Sequence, residues 1–127
     1  MSTPGISPKR ILVVDDEPFV CDAVKMMLEF DGHKIETSTS GQAALAAFGK
    51  TKFDVVITDY AMPGMKGNEL AAQIRALDPK QPIVMITAYA EMLTANQTPL
   101  DAVDCVISKP FLLEDLRAAI IKATRAG

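Results

Sequence analysis

Short, continuously apolar runs alternate with longer segments whose apolar residues recur at helical spacing, and this alternation constrains the fold more than any other feature. A continuous apolar run, unlike an alternating one, indicates a strand that is buried on both faces. The predicted strands cover 10–14, 33–37, 55–58, 83–86 and 103–107. Five strands that alternate with five helices predict an α/β fold, in which helices cover both faces of a parallel sheet.

Capping and breaking residues mark the ends of the predicted helices. Pro18 opens the first helix, where its missing N–H group costs little. Ser40 caps the second helix, and Gly49 is predicted to end it. The fourth helix, over about 90–97, is predicted to be weak, because Pro99 limits it and its threonine and asparagine residues are poor helix formers. A weak element beside a functional site is a candidate for the part that moves.

Length and composition bound the classes of protein that this chain can represent. The 127 residues match one ordinary domain, and a hydrophobic content of 49% is enough to form a core. A net charge of -3 argues against nucleic acid as the main partner, because phosphate backbones attract basic surfaces. The apolar runs have the length of strands, so no membrane span is predicted.

The termini and the cysteines predict the domain organisation and the compartment. Residues 1–9 are polar and contain proline and glycine, which predicts a disordered tail before one domain over 10–127. No signal peptide is evident, so a cytoplasmic protein with Cys21 and Cys105 as free thiols is expected. A second, DNA-binding domain is not expected within this length. His33 lies at the start of a predicted strand and is expected to be solvated.

Residues that can carry chemistry follow four of the five predicted strands. Asp15 and Asp16 follow the first strand, and Asp59 ends the third. Thr87 ends the fourth strand, and Lys109 lies close to the end of the fifth. Each of these residues alone has a common structural role, such as a helix cap for Asp16 or a turn for Asp59. Together they predict one site, because functional crevices of open α/β sheets lie beyond the carboxyl ends of the strands.

Three carboxylates at one site repel one another unless a cation joins them or one of them binds a proton. Mg²⁺ is the expected cation, because it takes oxygen ligands and commonly only one or two carboxylates. A carboxylate is also a nucleophile toward phosphorus, and the product is an aspartyl phosphate. The expected reaction is therefore phosphorylation of one of these aspartates, with Lys109 and Thr87 in contact with the phosphoryl oxygens.

Four sequence motifs resemble the receiver domain of two-component response regulators, similar to the single-domain chemotaxis type. They are Val-Val-Asp-Asp-Glu-Pro at 13–18, Thr-Asp-Tyr-Ala-Met-Pro-Gly-Met at 58–65, Ile-Thr-Ala at 86–88 and Lys-Pro-Phe at 109–111. The resemblance runs from about residue 10 to residue 124. It implies a flavodoxin-like, doubly wound sheet of five parallel strands with strand order 2-1-3-4-5 and five helices.

The resemblance also implies a function and a set of ligands. Asp59 would accept a phosphoryl group from a sensor histidine kinase or a histidine phosphotransfer protein. Asp16, Asp59 and the backbone carbonyl of Ala61 would bind Mg²⁺ (or Mn²⁺), and Asp15 would act through a water molecule. The domain would be a signalling module that catalyses only its own phosphorylation and dephosphorylation. It would act as a monomer or as a weak phosphorylation-dependent dimer, either alone or as the receiver of a hybrid histidine kinase.

The remaining residues of the motifs are expected to bind the phosphoryl group or to take part in the switch. By the resemblance, Thr87 and Lys109 would hold phosphoryl oxygens, and Ala88 would lie beside them. The peptide bond between Lys109 and Pro110 would be cis, and this expectation comes from the family alone, since few X–Pro bonds in folded proteins are cis.

Two positions depart from the family pattern. Val106 occupies the place of the usual switch aromatic and has no ring to move inward. Tyr89, two residues after Thr87, is either its substitute or an ordinary surface aromatic. Ala61, two residues after Asp59, has no group to orient a hydrolytic water, which predicts slow self-dephosphorylation.

Two other functions are weighed against the receiver. A phosphatase or phosphotransferase of the haloacid-dehalogenase type also uses an aspartate nucleophile and Mg²⁺ on a doubly wound sheet. In that class the nucleophile follows the first strand in an Asp-x-Asp pattern, whereas the pair here is the adjacent Asp15 and Asp16. A flavin or nucleotide binder is disfavoured, because the chain has no glycine-rich phosphate-binding motif.

Overall fold

Five parallel strands form one sheet in the order β2-β1-β3-β4-β5 in the computed structural model, which describes residues 7–125. The strands are β1 (Arg10–Val14), β2 (Lys34–Ser38), β3 (Val55–Asp59), β4 (Ile83–Thr87) and β5 (Cys105–Ser108). The helices are α1 (Pro18–Phe30), α2 (Gly41–Lys50), α3 (Gly67–Leu77), α4 (Ala90–Ala95) and α5 (Leu113–Arg125). The predicted flavodoxin-like α/β class and its strand order are confirmed.

The three central strands are buried, and the two outer strands are partly exposed. Every residue of β3 and β4 is buried, and β1 exposes only Arg10. On one face of the sheet lie α1 and α5, and on the other lie α2 and α3. The continuous apolar runs therefore mark strands that have helices on both faces, as the sequence pattern predicted.

The end of α2 and the start of β5 differ from the prediction for local reasons. The helix α2 continues past Gly49, because this glycine keeps a helical backbone and the extended residue Thr51 ends the helix instead. The strand β5 begins at Cys105 rather than at 103. The N–H of Val103 bonds to the carbonyl of Leu100, so this residue belongs to a turn. Apolar character alone did not separate the turn from the strand that follows it.

His33 is buried, with only 4% of its surface exposed, so its predicted solvation is wrong. Its Nδ1 accepts the backbone N–H of Lys9 at 3.0 Å, and the strand β2 begins one residue later, at Lys34. Lys9 belongs to the predicted disordered tail, yet its carbonyl also accepts the N–H of Lys34 at 2.9 Å. Residues 1–6 of that tail lie outside the described part of the chain.

Helix lengths separate α4 from the other helices. The helices α1 and α5 have 13 residues each, whereas α4 has six and ends at Ala95, short of the predicted 97. Its end is closed by the N–H of Thr98, which bonds to the carbonyl of Leu93 at 3.0 Å. Gln97 inside this closure has a φ of 54°, which favours glycine. None of the helices within 7–125 combines the length and the apolarity that crossing a membrane requires.

Candidate functional site

The carboxyl edge of the sheet brings three aspartates together. The neighbouring strands β1 and β3 pair Val14 with Thr58, so the next residues, Asp15 and Asp59, lie side by side. Asp16 joins them, and one carboxylate oxygen from each of the three lies within 4.8 Å of the others. Asp15 and Asp59 are buried, whereas Asp16 is half-buried. Within 7–125, no other such group of potential metal ligands occurs.

Lys109 supplies the positive charge at this site. Its Nζ lies 3.2 Å from Oδ2 of Asp15 and 3.2 Å from Oδ1 of Asp59. Its backbone N–H donates to the carbonyl of Thr87 at 2.9 Å, which ties the segment after β5 to the end of β4. The peptide bond between Lys109 and Pro110 is cis, as the resemblance implied. One ammonium group faces three carboxylates, so the cluster keeps a net negative charge.

The electrostatics of the cluster follow from burial and from this charge imbalance. Burial and the charge of Asp15 raise the pKa of Asp59 to about 6, although Lys109 acts in the opposite direction. Burial lowers the pKa of Lys109, but the carboxylates of Asp59 and Asp15 outweigh burial and leave that pKa raised. Lys109 therefore remains an ammonium at neutral pH, and the carboxylate form of Asp59 is less stable than it would be in water.

Asp15 and Asp16 are adjacent in sequence but are held differently. Oδ1 of Asp15 accepts the N–H of Glu17 at 2.9 Å, and its Oδ2 faces Lys109. The residue at the start of α1 is Glu17, whose side chain makes no capping hydrogen bond. The alternative role of Asp16 as a helix cap is therefore not observed. Its carboxylate lies in the cluster instead.

The predicted switch residues lie at the end of β4 and on β5. Thr87 is fully buried, and its Oγ1 accepts the N–H of Tyr89 at 2.9 Å. Ala88 and Tyr89 are exposed in the turn that leads into α4. Tyr89 is 49% exposed and Val106, on β5, is 39% exposed. The idea that Tyr89 replaces the missing aromatic at Val106 stays a prediction.

Gly67, which the sequence motifs did not single out, sets the position of the loop after β3. Its N–H donates to the carbonyl of Tyr60 at 2.8 Å. A Cβ atom at residue 67 would collide with the backbone carbonyl oxygen of Asp59. The first turn of α3 therefore rests directly on the backbone of Asp59. The available sequence signal was a glycine at the start of a helix. Glycine weakens helices, so its presence there indicates a position where another segment approaches the backbone closely.

The donor set of this cluster fits a hard divalent cation. Carboxylate oxygens are the ligands that Mg²⁺ takes in proteins, usually together with waters. Burial and, after it, the negative charge of Asp15 raise the pKa of Asp59, and a bound cation would offset that charge. Ala61 is exposed and lies two positions after Asp59, at the start of the loop that follows β3.

Comparisons with known proteins agree with this geometry. The family model for the response regulator receiver domain matches residues 11–121. The transcriptional regulatory protein TrcR of Mycobacterium tuberculosis is 35% identical over 114 residues, which are 90% of this chain and 44% of TrcR. The chain therefore belongs to the response regulator receiver domain family. It is a receiver domain of the two-component type, and the haloacid-dehalogenase alternative has no support.

Solved structures give the same result. The response regulator TrrA of Thermotoga maritima, in complex with Mg²⁺ and BeF, is 36% identical with a TM-score of 0.82, over 91% of this chain and 98% of TrrA. A CheY-like receiver domain protein of Methanospirillum hungatei is 31% identical with a TM-score of 0.82, over 95% of this chain and 100% of that chain. The chain spans about half the length of the curated relatives that it matches, between 44% and 48%.

Proposed function

We propose that Asp59 accepts a phosphoryl group from a sensor histidine kinase or a histidine phosphotransfer protein, and that the domain then changes its partner binding. The observation that carries the proposal is the contact between Lys109 Nζ and Asp59 Oδ1, at 3.2 Å, inside the cluster of three aspartates. This contact places an ammonium beside the carboxylate that would become phosphorylated. The same ammonium can then neutralise a phosphoryl oxygen.

The protein residues at the site divide the work of phosphoryl transfer. An oxygen of Asp59 forms a bond to phosphorus while the bond between phosphorus and the imidazole nitrogen of the donor breaks. Lys109 exchanges its contact with Asp59 for a contact with a phosphoryl oxygen. The hydroxyl of Thr87 accepts the N–H of Tyr89, so its own proton points elsewhere and can be donated to a second phosphoryl oxygen.

The metal ligands in this proposal are Asp16, Asp59 and the backbone carbonyl of Ala61, for Mg²⁺ or Mn²⁺. When bound, such an ion offsets the negative charge of the phosphoryl group during transfer. Asp15 acts indirectly, because both of its carboxylate oxygens already have protein partners. It holds Lys109 in place and would contact a bound ion only through a water molecule.

An exposed apolar stripe on α1 supports a protein as the phosphoryl donor. Phe19, Met26 and Phe30 are 85%, 72% and 72% exposed, and with the exposed Ala23 they lie on one face of the helix. The stripe begins in the first turn of α1, three residues after Asp16. Exposed apolar patches of this kind mark surfaces for protein contact. A protein that delivers a phosphoryl group to the buried Asp59 would approach beside this end of α1, since Asp16 belongs to the same cluster as Asp59.

The test is the intact mass of the protein after incubation with acetyl phosphate, with and without Mg²⁺, for the wild type and for Asp59→Asn. One phosphoryl addition is expected, and it should require both Mg²⁺ and Asp59. Ala61 carries no group that can orient an attacking water, so the phosphoryl group should be lost slowly, over minutes or longer. No addition to the wild type, even from a phospho-histidine protein, would overturn the proposal, and a phosphoryl half-life of seconds would contradict the role given to Ala61.

A further inference from the structure

Asn68 connects the first turn of α3, which packs on Asp59, to the segment that follows α4. It is the second residue of α3, and its Nδ2 donates to the backbone carbonyl of Pro99 at 3.2 Å. The two residues are 31 positions apart in sequence. The Asn68 side chain thus joins the first turn of α3 by a direct hydrogen bond to residues 96–104, the segment that links α4 to β5.

The other half of the Asn68 amide has no partner. Its Oδ1 is buried and makes no hydrogen bond within the described residues. A flip of the amide does not remedy this, because the carbonyl of Pro99 is an acceptor and must face the NH₂ group. A buried acceptor without a donor is unfavourable, so a rearrangement that brings a donor to Oδ1 would gain a hydrogen bond. The hydrogen-bonding capacity of the Asn68 amide is therefore only half satisfied.

The position of Asn68 depends on the backbone of the phosphoacceptor residue. The preceding residue, Gly67, donates its N–H to Tyr60 and approaches the carbonyl oxygen of Asp59 so closely that no Cβ fits. A displacement of the Asp59 backbone or of the loop after it must therefore move the first turn of α3. Asn68 lies on that turn and would move with it.

The segment at the other end of this hydrogen bond is strained at its start, next to α4. The helix α4 has six residues, and Gln97 closes it with a positive φ of 54°, a conformation that costs energy in a residue with a side chain. At its start, Tyr89 is tied by its N–H to Thr87. One end of α4 is thus linked to the site through Thr87, and the segment after its other end is linked through Asn68 to the first turn of α3, which packs on Asp59.

We propose that Asn68 is a coupling residue, which holds the segment 96–104 against α3 in the unphosphorylated protein and releases it when Asp59 is phosphorylated. The proposal rests on the proposed function of Asp59. It supplies a route from the site to α4 that does not need an aromatic side chain at Val106. Asn68 touches none of the reacting atoms, so it acts only through the position of α3 and of Pro99.

The test is amide hydrogen exchange in the segment 96–104, measured by mass spectrometry on the full chain. Wild type, Asn68→Ala and the control Asn96→Ala are compared before and after phosphorylation with acetyl phosphate and Mg²⁺. Asn96 is an exposed residue of the same type in the same segment, so its replacement leaves the contact between α3 and Pro99 intact. Intact mass reports phosphoryl uptake in each sample and should be the same in all three proteins.

Phosphorylation of the wild type and of Asn96→Ala should accelerate exchange in 96–104 at least about fivefold. Unphosphorylated Asn68→Ala should already exchange at the fast rate, with little further change on phosphorylation. Slow exchange in unphosphorylated Asn68→Ala, or a full response to phosphorylation in that variant, would overturn the coupling role. Failure of the wild type to take up a phosphoryl group would overturn the proposed function and the phosphorylation-dependent release. The unphosphorylated samples would still decide whether Asn68 holds the segment.

Discussion

The two edges of the sheet use the same residue type, aspartate, in opposite ways. At the amino edge, Asp54 precedes β3 and accepts the N–H of Arg10, the first residue of β1, at 2.8 Å. Asp104 precedes β5 and accepts the N–H of Ile83, the first residue of β4, at 2.8 Å. Each of these carboxylates thus satisfies the first N–H group of a neighbouring strand, which is a structural role.

Asp104 also forms an ion pair with Arg75 of α3, at 2.7 Å. Its charge is thus balanced by one cation and one backbone donor. At the carboxyl edge, three carboxylates share the single ammonium of Lys109, and the pKa of Asp59 is raised to about 6. The comparison indicates that an aspartate with matched partners stabilises this fold. The charge of the carboxyl-edge cluster is not matched in this way, and this supports the proposed binding of a cation and a phosphoryl group there.

The largest expected effect comes from a glycine replacement at the carboxyl edge. In Gly67→Ala the new Cβ collides with the carbonyl of Asp59, so the free energy of unfolding should fall by about 3 kcal/mol or more. Phosphoryl uptake should fall with it, because Asp59 is displaced. In the control, Gly49→Ala, the new Cβ meets nothing within 4 Å inside α2, so the protein should be stabilised by about 0.5–1 kcal/mol.

Urea denaturation measures the stability of Gly67→Ala and Gly49→Ala, and the intact-mass assay measures their phosphoryl uptake. The direct contact between α3 and Asp59 would be disproved if Gly67→Ala kept both the wild-type stability and the wild-type rate of phosphoryl uptake.

Replacing one aspartate at each edge should change stability in opposite directions. Asp104→Asn loses the ion pair with Arg75 and weakens the bond from Ile83, which should cost about 1–2 kcal/mol. Asp59→Asn removes a carboxylate whose charged form is disfavoured. Without metal at neutral pH, its free energy of unfolding should therefore rise by about 1–2 kcal/mol. Denaturation in the presence of a chelator gives both values. A loss of stability in both variants would show that Asp59 is as well matched as Asp104.

The smallest expected effect is a pH dependence at the carboxyl edge. The pKa of Asp59 is about 6 in the folded protein, above the ordinary value of about 4 for an aspartate. The folded state therefore binds this proton more tightly than the unfolded state does. The resulting stabilisation is fully present below about pH 4 and is lost as the pH rises through about 6, a change of about 1–2 kcal/mol after allowance for solvent screening.

The difference between the stability profiles of wild type and Asp59→Asn, both without metal, isolates this contribution. Parallel profiles for the two proteins between about pH 4 and about pH 7 would mean that the pKa of Asp59 is not raised. Asp104→Asn is the control. This variant keeps Asp59, so its stability profile should keep the wild-type slope between about pH 4 and about pH 7.

The repeating pattern of the chain was enough to predict the elements, because a strand buried on both faces must be apolar throughout. The strand order was not contained in the runs themselves and came from the resemblance to receiver domains. Errors appeared where a local signal had more than one outcome. Gly49 is compatible with a helix as well as with its end, and Val103 is apolar although it lies in a turn. His33 is buried, and the N–H group that bonds to its Nδ1 comes from Lys9, 24 residues away.

The residues of the site were predictable by type and position, because parallel strands present their carboxyl ends at one edge. That rule depends only on strand direction, so it can be read before any distance is known. The contacts of Gly67 and Asn68 were not predictable in this way. Neither residue carries reactive chemistry, and the importance of each depends on a backbone carbonyl that another segment brings to it.

The sequence by itself determined the class of fold, the residues at the strand ends and the family. These properties follow from periodicity, from strand direction and from motifs that are local in the chain. Only the tertiary structure decided that Lys109 pairs with Asp15, 94 residues away, as well as with Asp59, and that the amide of Asn68 is half satisfied. Such contacts depend on how α3, α4 and β5 pack against the sheet. A difference of one ångström in that packing, which no local pattern encodes, makes or removes a hydrogen bond.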